Sequence, residues 1–326
     1  MMPHKFNASR RHKFQKKRQK VTNWRMYNEG LLQRGDVTIW LSAEVEDKWL
    51  ADKRQTPGGQ PTYSDMAISV CLTLGMVFKQ PLRQTQGLVG SLARLMGLDV
   101  PVPDFSTLLR RGAGLSMPEK SKAQRAGPIE LVVDSTGLKI FGEGEWLQNK
   151  HKTKAKRKSW CKLHLGLDIT TGDIVCSDLT KDNMGDPTAL PELLNQIDAP
   201  VSRFLADGAY AGDPTSDLLV DRFGEAIEIV IPPSITAVLS LDAARDPTPR
   251  DKHIVEIRDK GRLAWQVSSG YNHRSRGEAQ MGRWKMVIGP KLKARNFPNQ
   301  KTEVRIGTNI LNKMNGLGRA KYEAVA

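Results

Sequence analysis

A mixed α/β fold, with a helical segment ahead of it, is what this sequence predicts, on three observations. Between Asp65 and Met96 apolar residues recur at three- and four-residue spacing, the period of helices buried on one face. From Ile129 the period shortens to that of strands, and Trp160–Asp168 alternates cleanly between apolar and polar. Beyond that point the order is three antiparallel strands, a helix, then another strand. That is the opening order of a ribonuclease H-like domain, a mixed sheet with flanking helices, and it is expected over residues 128–290.

Taken in order, residues 1–20 hold Lys5, Arg10, Arg11, Lys13, Lys16, Lys17, Arg18 and Lys20 and no acid. Such a segment has little apolar surface to bury, so it reads as a basic disordered arm along a polyanion or as a solvated tail. Residues 21–60 form an N-terminal segment of scattered apolar side chains, with Ser42 opening a short helix and Pro57-Gly-Gly-Gln-Pro61 closing the segment. Residues 61–115 carry three helices: Asp65–Phe78 capped by Ser64 or Asp65, Pro81–Met96 stopped by Gly97, and a third from Asp104 to Arg110-Arg111. A basic third helix suits a helix-turn-helix-like DNA-binding domain, and equally a packing bundle. Residues 116–127, polar and glycine-flanked, read as a linker.

Ile129–Asp134 is a buried strand continued by Ser135–Phe141, and Trp160–Asp168 and Ile174–Leu179 form a hairpin about Thr170-Thr-Gly-Asp173. Pro187–Ile197 follows as a helix and Arg203–Asp207 as a strand. Val230–Pro233, His253–Ile257 and Leu263–Val267 look strand-like, and the basic segment 291–326 holds an amphipathic helix over Thr302–Met314. His164 and His253 read as structural histidines.

Fifty Lys and Arg against 35 Asp and Glu leave a net charge of +15. That balance points to a polyanion as partner, nucleic acid first. Cys71, Cys161 and Cys176 share no metal-binding spacing and cannot all pair, which argues against a disulfide scaffold or zinc ribbon. No run approaches membrane-spanning length, so a cytoplasmic, nucleoid-associated protein without a membrane partner is expected.

Two acids end apolar strand runs, Val132-Val-Asp134 and Leu205-Ala-Asp207. Each alone reads as a cap or turn aspartate, but a buried carboxylate is tolerable beside a cation. A third acid, Glu278, lies in Gly270–Lys285, where helical spacing sets Tyr271, Arg274, Glu278 and Lys285 on one face. One carboxylate between two cations and a phenol suits a polyanion held beside a metal better than it suits a core. Six cations between Lys150 and Lys158, among them Lys154, Lys156, Arg157 and Lys158, would grip phosphates or merely solubilise a loop. Lys139, Arg110 and Arg111 complete the candidate DNA contacts. Gly277 and Gly282 fall inside the signature helix, each at a cost of about 1 kcal/mol against Ala.

These residues resemble the DDE transposases of bacterial insertion sequences, in the group named after insertion sequence five, over most of the chain from Val21 to Gly318. The resemblance rests on Val133-Asp134 with Ser135–Trp146, on Ala206-Asp207-Gly-Ala-Tyr-Ala211, and on Tyr271, Arg274, Glu278 and Lys285 at the group's Tyr-x2-Arg-x3-Glu-x6-Lys spacing. It implies that Asp134, Asp207 and Glu278 hold two Mg²⁺, with Mn²⁺ as an alternative, and catalyse cleavage at element ends and strand transfer into target DNA. It further implies terminal inverted repeats and target DNA as partners and a homodimer or higher oligomer on DNA. The competing readings are a catalytically inactive transposase-derived DNA-binding protein and a ribonuclease H-like structure-selective nuclease.

Overall fold

The computed structural model describes residues 18–41, 45–115, 127–140 and 160–325, in two compact units. One joins residues 1–39 to 313–326. In it Arg18–Val21 pairs antiparallel with Tyr322–Val325, so the end of the expected arm is strand. Asn23 ties this ribbon to the helix Trp24–Gln33, donating to Arg319 O at 2.7 Å and accepting from Lys321 N at 2.7 Å.

The other unit spans residues 40–312. It opens with α1 (Asp65–Val77), α2 (Leu82–Leu95) and α3 (Phe105–Gly112). Their starts follow the expected caps: Ser64 Oγ accepts from Ala67 N at 3.1 Å, and Asp104 Oδ1 from Ser106 N and Thr107 N at 2.7 and 2.9 Å.

The sheet follows: β1 (Ile129–Ile140), β2 (Trp160–Asp168) and β3 (Ile174–Lys181) are antiparallel neighbours, then come α4 (Asp186–Leu194) and β4 (Val201–Leu205), parallel to β1. After α5 (Asp213–Phe223), β5 (Glu228–Val230) pairs parallel with β4. The order β3-β2-β1-β4-β5 is the expected ribonuclease H-like one. The chain continues through α6 (Pro249–Lys260), α7 (Arg262–Ser268), α8 (Ser275–Val287), β6 (Lys291–Leu292) and α9 (Phe297–Gly316).

Strand alternation sorts two cores. Leu131 and Val133 face Leu190, Leu193 and Leu194 of α4 and Leu219 of α5. Leu138 and the Leu163, Leu165 and Leu167 row of β2 pack with Met281 and Trp284 of α8 and with Val304 and Leu311 of α9. Val132, Leu205 and Val230 bury Trp265 of α7 between them.

Several expectations are corrected. His253–Ile257 and Leu263–Val267 are helical: Thr248 Oγ1 and the Asp251 carboxylate form a capping box around Pro249, and Gly261 at φ +83 separates two helices rather than two strands. The β-branched Ile254 and Val255 mimicked a strand, but start signals outweigh so weak a propensity. Residues 45–48 form a turn, and Leu50 bridges to Tyr63 where a helix was expected. Asp134 lies within β1, and β2 pairs with the strand as far as Lys139, in line with the expected continuation from Ser135. All three cysteines are buried and free.

Candidate active site

On its β4 side β1 is paired only in part. The ladder with β4 stops at Val132, and pairing resumes at Lys139 with β6. Asp134 sits in this gap, its Oδ1 accepting from Ser135 N at 2.9 Å. Asp207 follows β4 by two residues and caps the 3₁₀ turn Gly208–Tyr210, accepting from Ala209 N at 2.9 Å. β1 and β4 are parallel neighbours, so both acids belong to one region of the sheet.

The third acid arrives on α8. Gly270, at φ +64, turns the chain there, and Arg203 of β4 secures the turn by donating to Ser269 O. Tyr271–Arg274 then forms a 3₁₀ turn and α8 begins only at Ser275, so the four signature residues do not share one continuous α-helix. Glu278 nonetheless falls in the first turn of α8, where the helix dipole favours a carboxylate. Gly277 explains itself here. A Cβ at that position would lie 2.9 Å from Val132 Cγ1 and 3.6 Å from Asp134 Cβ, so the helix can lie this close to β1 only through glycine. At Gly282 a Cβ would meet nothing within 4 Å.

Arg274 joins the acids. Its guanidinium donates to Asp134 Oδ2 at 3.5 Å and to Glu278 Oε1, with only 16% of the side chain exposed, while Glu278 remains 58% exposed. Burial raises the Asp134 carboxyl above its usual range; Arg274 and the Ser135 N–H pull it down, and Asp207 and Glu278 push it up. Burial disfavours the charge on Arg274, but Tyr271, Asp134, Glu278 and Asp207 together outweigh it and hold the guanidinium's pKa above normal. Three carboxylates thus act on one guanidinium. Among the described residues no group of three His, Cys, Asp or Glu side chains is arranged to hold a metal ion directly, and Arg274 occupies the place between Asp134 and Glu278. The donor set itself, three carboxylates fed by oxygen atoms alone, is the chemistry that hard divalent cations take.

The remaining candidates are placed as follows. Lys285 is exposed on α8 and Arg110 on α3. Arg111 is engaged within the fold, donating to Asp65 at 2.6 Å and Tyr63 O at 2.9 Å, which pins α3 to the start of α1. Lys139 lies over the Trp160 ring at 5.6 Å. Lys154, Lys156, Arg157 and Lys158 fall outside the described residues. Tyr271 is held by rings: its centroid lies 5.3 Å from Trp265 and 5.8 Å from Arg274 Cζ. His164 is buried, as expected of a structural histidine, with Nε2 2.9 Å from Thr180 Oγ1. Sequence reasoning missed Trp265 and Arg203, since neither spacing nor charge sets them apart from core and surface residues.

Comparison with known proteins gives the family. A family profile described as a transposase DDE domain matches residues 125–312, more than half the chain, and a second of the same description matches residues 32–143. Among solved structures, a piggyBac transposase synaptic complex with hairpin DNA matches over 91% of this chain and 78% of that one, at 9% identity and a TM-score of 0.35. The Mos1 mariner paired end complex with Mn matches over 91% and 87%, at 14% identity and a TM-score of 0.22. The chain belongs to the transposase DDE domain family and is a DNA transposase.

Proposed function

We propose that Asp134, Asp207 and Glu278 hold two divalent cations, Mg²⁺ with Mn²⁺ as an alternative, at which the chain cuts the ends of an insertion sequence and joins them to target DNA. The observation that carries this reading is the guanidinium of Arg274 bonded to Asp134 of β1 and Glu278 of α8, with Asp207 in the turn that follows the neighbouring strand β4. Three carboxylates in one region leave more negative charge than one guanidinium neutralises, and the excess calls for cations. Bound there, the ions supply Lewis-acid polarisation of the phosphate and a lowered pKa for attacking water.

The protein groups have separate tasks. Asp134, on the central strand, is the fixed ligand; Glu278, more exposed, has room to turn inward. With cations neutralising the acids, Arg274 would be free to give its charge-assisted hydrogen bonds to a phosphate of the DNA end. Lys285, two turns along α8 from Glu278, clamps the next phosphates. Water first hydrolyses a phosphodiester at the element end and leaves a 3′-hydroxyl, and that hydroxyl then attacks a target-DNA phosphate, displacing the 3′-oxygen of the target strand, with no covalent protein intermediate.

End recognition falls to the helical segment 61–115, with Arg110 as its exposed cation. A homodimer or larger assembly then brings two ends together.

The test is an Mg²⁺-dependent cleavage and strand-transfer assay on duplexes carrying the element's terminal repeats. Asp134→Asn, Asp207→Asn and Glu278→Gln each lower cleavage by about a thousandfold or more. Full activity in Asp134→Asn would falsify the assignment. Cutting without joining would favour a structure-selective nuclease.

A further inference from the structure

We infer that His253 and Trp265 are positioning residues that set Arg274 between Asp134 and Glu278, through a relay of rings running from β5 to the acids. The relay begins at a backbone carbonyl. His253 Nε2 lies 2.8 Å from Ile229 O, and Trp265 Nε1 donates to His253 Nδ1 at 2.9 Å. Those partners select one tautomer: Nδ1 must be the bare acceptor, so Nε2 carries the proton and donates to β5. The imidazole and indole meet edge to face, with centroids 5.3 Å apart at 74°.

Trp265 is wholly buried against Val132 and Leu205, on the strands that carry Asp134 and precede Asp207, and against Val230 of β5. Its other side meets the Tyr271 ring at 5.3 Å and 33°, and Tyr271 in turn lies under Arg274, 5.8 Å from Cζ. An arginine held only by two carboxylates has many rotamers that satisfy them. One resting on a tyrosine that is itself wedged against a locked indole has few. α6 and α7 therefore act as the platform that fixes the signature turn, a role that the strand-like reading of this segment concealed. The site's use in catalysis rests on the function proposed above, but the positioning does not, and the test separates the two.

The test reads the side chain of Arg274 directly, in the full-length protein without DNA or metal. Wild type, Trp265→Phe and His253→Ala are treated with an arginine-selective dicarbonyl, phenylglyoxal, and modification is followed by peptide mass spectrometry. Arg276 on α8, which donates to Ile169 O at 2.7 Å, serves as the internal reference for an intact helix. Arg274 is expected to react slowly in the wild type and about threefold or more faster in both variants, with Arg276 unchanged. Trp265→Phe keeps a ring but loses the N–H; His253→Ala leaves the indole in place, so loss of folding in one does not remove the other. Unchanged Arg274 reactivity in a folded variant overturns the relay. So does an equal rise at Arg276, which would mean that α8 has loosened as a whole. Failure of end cleavage in the wild type, with the labelling pattern intact, would sink the proposed chemistry and leave the relay standing.

Discussion

Two glycines of α8 look alike in sequence and differ in kind. At Gly277 an added methyl meets Val132, itself fully buried, so either the core strand or the helix must shift. Overpacking of this sort costs about 1–3 kcal/mol, more than the roughly 1 kcal/mol that Ala gains over Gly in a helix. Gly277→Ala is therefore expected to lower stability in urea unfolding, while Gly282→Ala, facing open space, raises it by about 0.5–1 kcal/mol. Equal effects at the two positions would refute this account of the packing. Asp134 gives a second residue-scale prediction. Burial raises its folded-state pKa above the usual carboxylate range, so the folded state binds the proton more tightly. The charged form then costs stability at neutral pH, and the cost disappears as pH falls below the unfolded value. In chelator-containing buffer Asp134→Asn should melt higher than wild type at pH 7, with the gap closing towards pH 3. A lower melting temperature at pH 7 would show that the pairing with Arg274 outweighs burial.

Asp251 behaves in the opposite sense and belongs to its element, because its carboxylate builds the start of α6. It is buried and accepts from Ser240 N and Oγ and from Thr248 N and Oγ1, at 2.7–3.1 Å. Burial raises its pKa, but these bonds outweigh it and hold the carboxyl well below 3.8, so it stabilises the fold at neutral pH and loses that contribution in acid. Asp251→Ala is expected to cost about 1–3 kcal/mol in chemical denaturation at pH 7 and progressively less below pH 4. A neutral effect at pH 7 would mean that α6 starts without its box. The same element marks the limit of reading the sequence. Strands β1 to β4 and helices α1 to α3 were legible, since period and caps are local signals. α6 and α7 were not: Thr248-Pro249 with Asp251 is a start signal, yet Ile254, Val255 and Ile257 carried a strand's composition. The contacts of Gly277 with Val132 and of Trp265 with Tyr271 cross between elements, and a single sequence holds no register between helix and sheet from which to read them.

At the scale of the whole molecule, the excess of 15 positive charges has to be distributed before it means anything. Among the described residues several cations are already spent inside the fold: Arg111 on Asp65, Arg203 on Glu228, Lys162 on Asp186. Residues 1–17, outside the described part, hold Lys5, Arg10, Arg11, Lys13, Lys16 and Lys17 and no acid that would neutralise them. If this segment lies along DNA, each phosphate contact it makes releases counterions, and the slope of log K against log salt steepens by about 0.9 per contact on duplex DNA. Removing residues 1–17, and leaving the Arg18–Val21 strand with its partner, is therefore expected to flatten that slope by about 3–5 units. Fluorescence anisotropy on a duplex of arbitrary sequence, between about 50 and 200 mM salt, reads it directly. Binding to element ends at low salt should weaken far less than the slope suggests, because sequence recognition is assigned to other residues. An unchanged slope would make the segment a solvated tail, and the charge that meets DNA would then have to come from α3, α8 and the six cations of residues 150–158.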